Sequence, residues 1–293
     1  MQASCHPLRC GQSRRGRGVV DLVWAVMITV GITAVMVAAM LLIRRGTPEG
    51  SRFQDGDRAS GVFGVLSTGF ALLLGFVFFL AFTKYDDSRS GAETEALVLV
   101  QQFETAQLMP AEMRGQLSGE LICYGRAVVR QEWPAMGSAS GTTEINPWAF
   151  ALFRTLQTIE PRAASEQSAY DAWLAQTSER EEARRDRVHA AEGIVPLPVW
   201  LVLFFSAALI LVYLLFFADS GESAVVQGMM AGTVTAVIVA TLLVLGALNR
   251  PFETDVGGLR PVAMERSLAV LDEARTALGI DVPVPCDEDG RPS

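Results

Sequence analysis

Four long gaps in the distribution of charge constrain this chain more than any other feature. No Asp, Glu, Lys or Arg occurs in Leu22–Ile43, Ala59–Thr83, Gly193–Ala218 or Ser223–Asn249, stretches of 22, 25, 26 and 27 residues dominated by Leu, Val, Phe and Ala. A bilayer hydrocarbon core takes about 20 apolar helical residues to cross. Only a helix satisfies its own backbone N–H and C=O groups there, because these runs lack the apolar–polar alternation of a barrel strand. A core helix of a soluble protein is usually shorter and patterned. The sequence therefore predicts an all-α integral membrane protein with four transmembrane helices in two hairpins. Arg9, Arg14, Arg15 and Arg17 precede the first apolar run as they would in a signal peptide. That run is too long for a signal-peptide core, and Arg44–Arg45 follow it like a stop-transfer flank, so it reads as a retained span.

The organisation that follows is a basic flexible arm at 1–18, a first transmembrane hairpin at 19–83, and a helical cytoplasmic segment at 84–192. A second hairpin occupies 193–249, and 250–293 hold a loop, an amphipathic helix and a frayed acidic tail. Orientation rests on the basic flanks. Lys84 and Arg89 stand at one end of the middle segment, and Arg180, Arg184, Arg185 and Arg187 at the other. Arg250, Arg260 and Arg266 follow the fourth span, whereas the connection Asp219–Glu222 has no Lys or Arg. This bias places both termini and the middle segment in the cytoplasm of a multi-pass cell-membrane protein. The first connection dissents, with Arg44, Arg45, Arg52 and Arg58.

The formal net charge of −8 comes largely from the middle segment, where 17 acids face 11 bases between Lys84 and Glu192. That balance disfavours a nucleic-acid partner, which needs a clustered basic face. Apolar residues at Ala96, Leu99, Val100, Phe103 and Ala106 predict a helix from Asp86 to Met109. No proline separates it from the second span, so the span is expected to run on as one long helix. Pro110 fits the first turn of the next helix, with the stripe Met113, Leu117, Leu121, Tyr124 and Val128, ending near Trp133–Pro134. A loop at 137–146, a short helix around Pro147–Ile159 and a charged helix at about Ala164–Ala191 follow. Trp173 is expected in the core, and Glu181 and Arg185 are spaced for an i,i+4 pair. After a loop at Pro251–Pro261 containing Gly257–Gly258, a last helix carries Met264, Leu268, Leu271 and Leu278. Cys123 and Cys286 fall in cytoplasmic segments and are expected as free thiols, as are Cys5 and Cys10 in the arm. His6 beside Cys5, with His189 the only other histidine, makes no zinc site.

Nothing in the chain looks catalytic. It has no phosphate-cradling glycine loop, no nucleophile elbow and no paired histidines on a helix. Asp86–Asp87 are helix neighbours about 100° apart, which is the wrong geometry for an acid/base pair. No ionisable residue lies within the spans, unlike proton- or ion-coupled transporters. No metal or other cofactor is implied. A passive pore closed by an apolar ring fits this pattern. Thr68, Leu72, Phe76 and Leu80 on the second span share one face and supply such a ring; lipid contact or helix packing is the plainer reading of the same face. Gly61, Gly64, Gly69 and Gly75 on that span, and Gly228 and Gly232 on the fourth, allow close helix approach.

Leu74-Gly75-Phe76 followed by Thr83-Lys84-Tyr85 resembles the second span of bestrophin channels. Asn249-Arg250-Pro251-Phe252 is similar to the Asn-Pro-Phe after their fourth span. The chain looks closer still to a bacterial bestrophin-like family, on the tyrosine-aspartate stretch Tyr85–Arg89 with Asp86, on Glu95-Ala96, and on Tyr124 leading to Glu132, Trp133 and Pro134. The likeness covers about residues 20–275. It implies a ring-shaped homo-oligomer in the lipid bilayer, with a pore lined by the second span. Thr68, Leu72 and Phe76 then form the constriction, and inorganic ions are the permeating partners. Departures accompany it. Tyr85 is followed by Asp86 where animal bestrophins have paired aromatics, Arg250 is inserted in the Asn-Pro-Phe, and the ring at Thr68 is polar. Glu253 and Asp255 are too few for a calcium cage.

The resemblance also extends the second span below the pore, bringing Lys84, Asp86, Asp87 and Arg89 to the lower mouth. On an ideal helix Asp87 falls roughly 20° from the direction of Phe76, with Lys84 and Asp86 about 80° to either side. The function expected is passive ion conduction. Its rival is a non-conducting membrane scaffold or sensor whose cytoplasmic helices recruit a partner. An intramembrane enzyme is disfavoured by the missing nucleophile and metal constellation.

Overall fold

The computed structural model describes residues 7–46, 56–137, 146–189, 191, 193–253 and 258–293, with side chains from Leu22 onward. Cys5, His6, Arg52, Asp255, Gly257 and most of the loop expected at 137–146 lie outside the described residues. The helices are α1 (Pro7–Arg45), α2 (Gly56–Ala106), α3 (Ala111–Ala127), a π-helical turn (Val128–Glu132), α4 (Trp133–Met136), α5 (Pro147–Gln157), α6 (Ala164–His189), α7 (Leu197–Phe216), α8 (Ala224–Asn249) and α9 (Val262–Ala277). Among the described residues the only β pairing is an isolated bridge between Cys286 and Pro292. Four helices among the described residues are long and apolar enough to cross a membrane: Leu22–Arg45 within α1, α2, α7 and α8. Residues 7–18, expected as a flexible arm, are helical and continue the first span backwards to Pro7.

Two compact units emerge. One comprises α1, α2 as far as Thr83, α7 and α8; the other runs from Lys84 to Gly193 and adds Arg250–Glu253 and Gly258–Ser293. In the first unit chain order joins α1 to α2 and α7 to α8, but α1 packs chiefly along α8. Glycine explains that choice: a Cβ at Gly232 would come within 3.3 Å of Val37, and one at Gly228 within 3.5 Å. Small residues let helix backbones approach where no hydrophobic effect drives them together. On α2, Phe70, Leu74, Val77 and Ala81 pack with Leu203, Ala207 and Ile210 of α7 and Ile238 and Leu245 of α8. Arg44 donates to the backbone carbonyls of Asp219, Ser220 and Glu222. A basic residue that dissents in the orientation count is thus engaged in capping the α7–α8 turn. At the other end Asn249 Oδ1 accepts from the N–H groups of Ile194 and Val195, 2.9 and 2.6 Å away, tying the start of α7 to the end of α8.

The second unit is built on a core of Ala96, Leu99, Phe103, Leu117, Leu121, Tyr124, Val128, Leu152, Trp173, Met264 and Leu271, all buried, with Met113, Val100 and Leu268 packed partly against it. The predicted stripes therefore face inward, apart from Leu278, which is 56% exposed just past the end of α9. α2 is unbroken over 51 residues because nothing in Gly56–Ala106 removes a backbone donor. Pro110 stands just ahead of α3 as its N-cap rather than inside the first turn. The helix that begins there does not stop before Pro134. It widens into the π turn, where the Trp133 N–H reaches back to the Val128 carbonyl, five residues away. Pro134 has no N–H to offer Arg130 and its ring crowds that carbonyl, so the wider turn accommodates it and the rod continues to Met136. Glu181 lies 3.5 Å from Arg180, its immediate neighbour.

Two expectations about the C-terminal region are corrected. Gly279, at φ +64°, ends α9 in the left-handed conformation that glycine adopts without penalty. The chain beyond it is not frayed but lies on α3. Asp287 Oδ1 accepts from the N–H groups of Asp289 and Arg291, and Ser293 N–H donates to the Pro285 carbonyl. Cys123 and Cys286 are not free thiols: they form a disulfide across 163 residues. Sequence distance hides that proximity, because only the packing of the terminal loop on α3 brings the two residues together.

Candidate functional site

Among the described residues, none covers the face of α2 opposite its packed side. Thr68 is exposed, Leu72 is 71%, Phe76 62% and Phe79 64% exposed. Gly61, Gly64, Gly69 and Gly75 meet no heavy atom within 4 Å of an added Cβ, so within one chain they mediate no close approach. All three predicted constriction residues, Thr68, Leu72 and Phe76, thus share one open strip, apolar at Leu72 and Phe76 and polar at Thr68.

Of the predicted mouth residues, Lys84 Nζ pairs with Asp87 Oδ2 at 3.1 Å, both side chains more than half exposed. Asp86 is exposed. Arg89 Nε binds Glu93 at 3.0 Å, and that hydrogen bond and charge hold the guanidinium pKa above its ordinary value.

Tyr85, partly buried on α2, stands apart from Glu95, Tyr124, Glu132 and Trp133, which meet inside the second unit, around one guanidinium. Arg187 Nε lies 2.6 Å from Glu95 Oε2, and Nη2 lies 3.0 Å from Glu95 Oε1 and 2.8 Å from Glu132 Oε2. The Tyr124 hydroxyl donates to Glu95 Oε1 at 2.6 Å. Asn146 Nδ2 donates to Glu132 Oε1 at 2.9 Å, while its Oδ1 caps α5 by accepting from the Trp148 N–H. Arg184 stands 3.4 Å from Glu132. Arg180, fully buried, donates to Gln102 Oε1 at 2.6 Å and lies 4.7 Å from the centre of the Tyr124 ring. Arg187 lies 5.6 Å from the Trp133 ring, which meets Phe252 edge to face at 5.3 Å. Trp133 Nε1 donates to the Leu259 carbonyl, and the Leu259 N–H donates to the Pro251 carbonyl.

The Glu95, Glu132 and Arg187 charges of this cluster pair directly, whereas the buried Arg180 Nε has no hydrogen-bond partner among the described residues. Burial pushes the Glu132 carboxyl up, but the charges of Arg187 and Arg184 outweigh it and leave the pKa below the usual carboxylate value. Burial likewise opposes the charged form of Arg187, yet Glu95 and Glu132 hold it protonated. Tyr124 is pushed well above the ordinary phenol value, by burial first and then by the Glu95 charge, so it stays a hydrogen-bond donor. Glu132, Trp133, Pro134, Pro251 and Phe252, separate in sequence, belong to one neighbourhood. Arg187, Arg180, Gln102 and Asn146 are the partners that the sequence reading missed. Their signal was present: Arg180, Arg184 and Arg187 recur at the spacing of one helix face, which reads more naturally as a solvated surface.

Among the described residues no group of three or more His, Cys, Asp or Glu is arranged to hold a metal ion. Glu253 instead pairs with Arg250 at 2.7 Å.

These features define a helical membrane protein with four bilayer-length helices and a helical unit locked by a buried ionic core. A family model described as a Bestrophin-like domain matches residues 17–257, and the chain belongs to the bestrophin-like family. In fold it is similar to crystal structures of point variants of a bacterial bestrophin homolog from Klebsiella pneumoniae. One has a TM-score of 0.63 at 14% identity, covering 86% of this chain and 99% of that one. Another has a TM-score of 0.62 at 15% identity, with the same coverage. A crystal structure described as a membrane protein is similar at a TM-score of 0.63 and 15% identity, over 83% of this chain and 98% of that one. No curated protein matches the sequence.

Proposed function

We propose that the chain is a passive ion channel, assembled as a ring of identical copies with the open face of α2 turned to a central pore. The observation that carries this reading is the uncovered strip of Thr68, Leu72 and Phe76, on a helix whose other side is packed by Phe70, Leu74 and Val77. Narrow apolar rings block ions by dewetting and conduct when they widen, with no catalytic or ionisable group at membrane depth. Membership of the bestrophin-like family supports the same reading. Basic flanks favour a cytoplasmic position for both termini and for the second unit. The pair Lys84–Asp87 then belongs to the lower mouth.

The test is current recording on purified protein in lipid bilayers, with native mass measurement of the same sample. Leu72→Ala combined with Phe76→Ala raises leak conductance if these side chains form the neck. A monomeric mass in lipid-retaining detergent, or silence of both parent and variant, would reject the pore and favour a non-conducting scaffold.

A further inference from the structure

The C-terminal loop is fastened to α3 by a covalent bond, and to α3, the π turn and α5 by a separate set of reversible ties, and the two differ in chemistry. Gly290, at φ +76°, sits so close that a Cβ there would come within 2.5 Å of the Ala127 nitrogen. A Cβ at Gly119 would come within 2.9 Å of Pro285, and one at Gly115 would overlap Val282. Trp148 Nε1 donates to the Gly290 carbonyl at 2.7 Å, Gln131 to the Asp289 carbonyl at 2.7 Å, and Arg126 to the Asp287 carbonyl at 3.2 Å. None of these contacts involves a sulfur atom. The Cys123–Cys286 bond adds permanence: while it holds, Cys286 stays tethered to Cys123 whatever happens to the other contacts.

We infer that Cys123–Cys286 is a reversible thiol–disulfide site that switches the C-terminal loop between locked and releasable docking. The inference rests on the cytoplasmic placement proposed above, because thiols in that compartment are kept reduced and a disulfide there is a redox-responsive bond rather than a permanent staple. Cys123 is fully buried and Cys286 is 7% exposed, so exchange begins at Cys286. A thiolate of a low-molecular-weight thiol or a dithiol protein attacks Cys286 Sγ, and Cys123 leaves as a thiolate and takes up a proton. A second thiol resolves the mixed disulfide, releasing the reductant as its own disulfide and Cys286 as a thiol. Two electrons and two protons are gained by the protein. The oxidised form of the same reductant restores the bond by the reverse steps.

The experiment uses the full chain with Cys5→Ser and Cys10→Ser, leaving only the two cysteines of the bond. Cells are quenched with acid and free thiols tagged with a maleimide polymer, before and after exposure to a thiol oxidant and again after its removal. The expected result is two tags, then none, then two. On the purified protein, hydrogen exchange over 280–293 should be at least about tenfold faster reduced than oxidised, as expected for a segment freed to open locally, with 164–189 unchanged. Cys286→Ser should match the reduced protein. Absence of tags in growing cells, or equal exchange in both states, overturns the switch. Ser168→Cys in a chain without other cysteines reports sidedness independently. Labelling there by an impermeant maleimide would mean that the cytoplasmic placement failed; no labelling with a permanent bond would mean that the switch alone failed.

Discussion

Replacing Arg187 by methionine should destabilise the second unit far more than any surface arginine would. The guanidinium serves two carboxylates at once, through contacts of 2.6 and 3.0 Å to Glu95 and 2.8 Å to Glu132. Methionine fills similar space but leaves both acids buried without it. Glu132 keeps Arg184 and Asn146, whereas Glu95 keeps only the Tyr124 hydroxyl among the contacts described above, so the larger share of the loss falls on Glu95. Removing one member of a buried ion pair costs about 3–5 kcal/mol. In a unit of roughly 150 residues that lowers the melting temperature by about 6–20 °C. Tryptophan fluorescence during heating in detergent measures it, since Trp133 lies against the cluster. Arg185→Met, on an exposed position of the same helix, should change stability by no more than about 0.5 kcal/mol. The pH dependence has a definite sign. The Glu132 carboxyl is held below its ordinary value of 4.5, so its contribution is present above that pH and lost as pH falls through the depressed value. The gap between parent and variant should therefore narrow only in acid. A variant melting within about 2 °C of the parent at neutral pH would refute the lock.

Two further outcomes follow from the same geometry. Leu74→Ala, inside the α2–α7–α8 packing, should cost about 2–5 kcal/mol, whereas Leu72→Ala on the open face should leave the melting temperature of the isolated subunit nearly unchanged; paired thermal melts of the two variants check this. Asp87→Asn should shift the reversal potential under a salt gradient towards anions and Lys84→Gln, by less, towards cations, and unchanged potentials in both would remove the pair from the conduction path.

The regular elements were legible because helical periodicity and charge gaps are local properties. Ala96, Leu99 and Phe103 announce a buried face within one window of sequence, and each proves buried. Properties set by distant partners were not legible. Packing of α1 on α8 depends on Gly228 and Gly232 meeting Val37, a match that nothing in either helix alone specifies. Pro134 reads as a helix stop because the local rule ignores the π turn that absorbs it. The C-terminal loop reads as a frayed acidic tail because its composition is polar, yet Asp287 uses its carboxylate to close a turn and Cys286 is bonded to α3.

The site divides along the same line. The open strip of α2 was visible in sequence as one face of an apolar helix, since exposure within a subunit needs no partner to define it. The ionic core was half visible: Glu95, Tyr124, Glu132 and Trp133 stood out as motif, but without a cation they had no chemical reason to be together. Arg187 supplies that reason, and charge counting had spent it on membrane orientation. A buried guanidinium held by two carboxylates cannot also act as a hydrated flank once the unit is folded. Arg180, buried against Tyr124 and Gln102, is withdrawn in the same way. Orientation is decided during insertion, before these pairs form, so both residues can count as basic flanks first and lock the folded unit afterwards. The two roles are separable: an Arg187→Lys chain keeps the charge for insertion but loses the fork that spans Glu95 and Glu132.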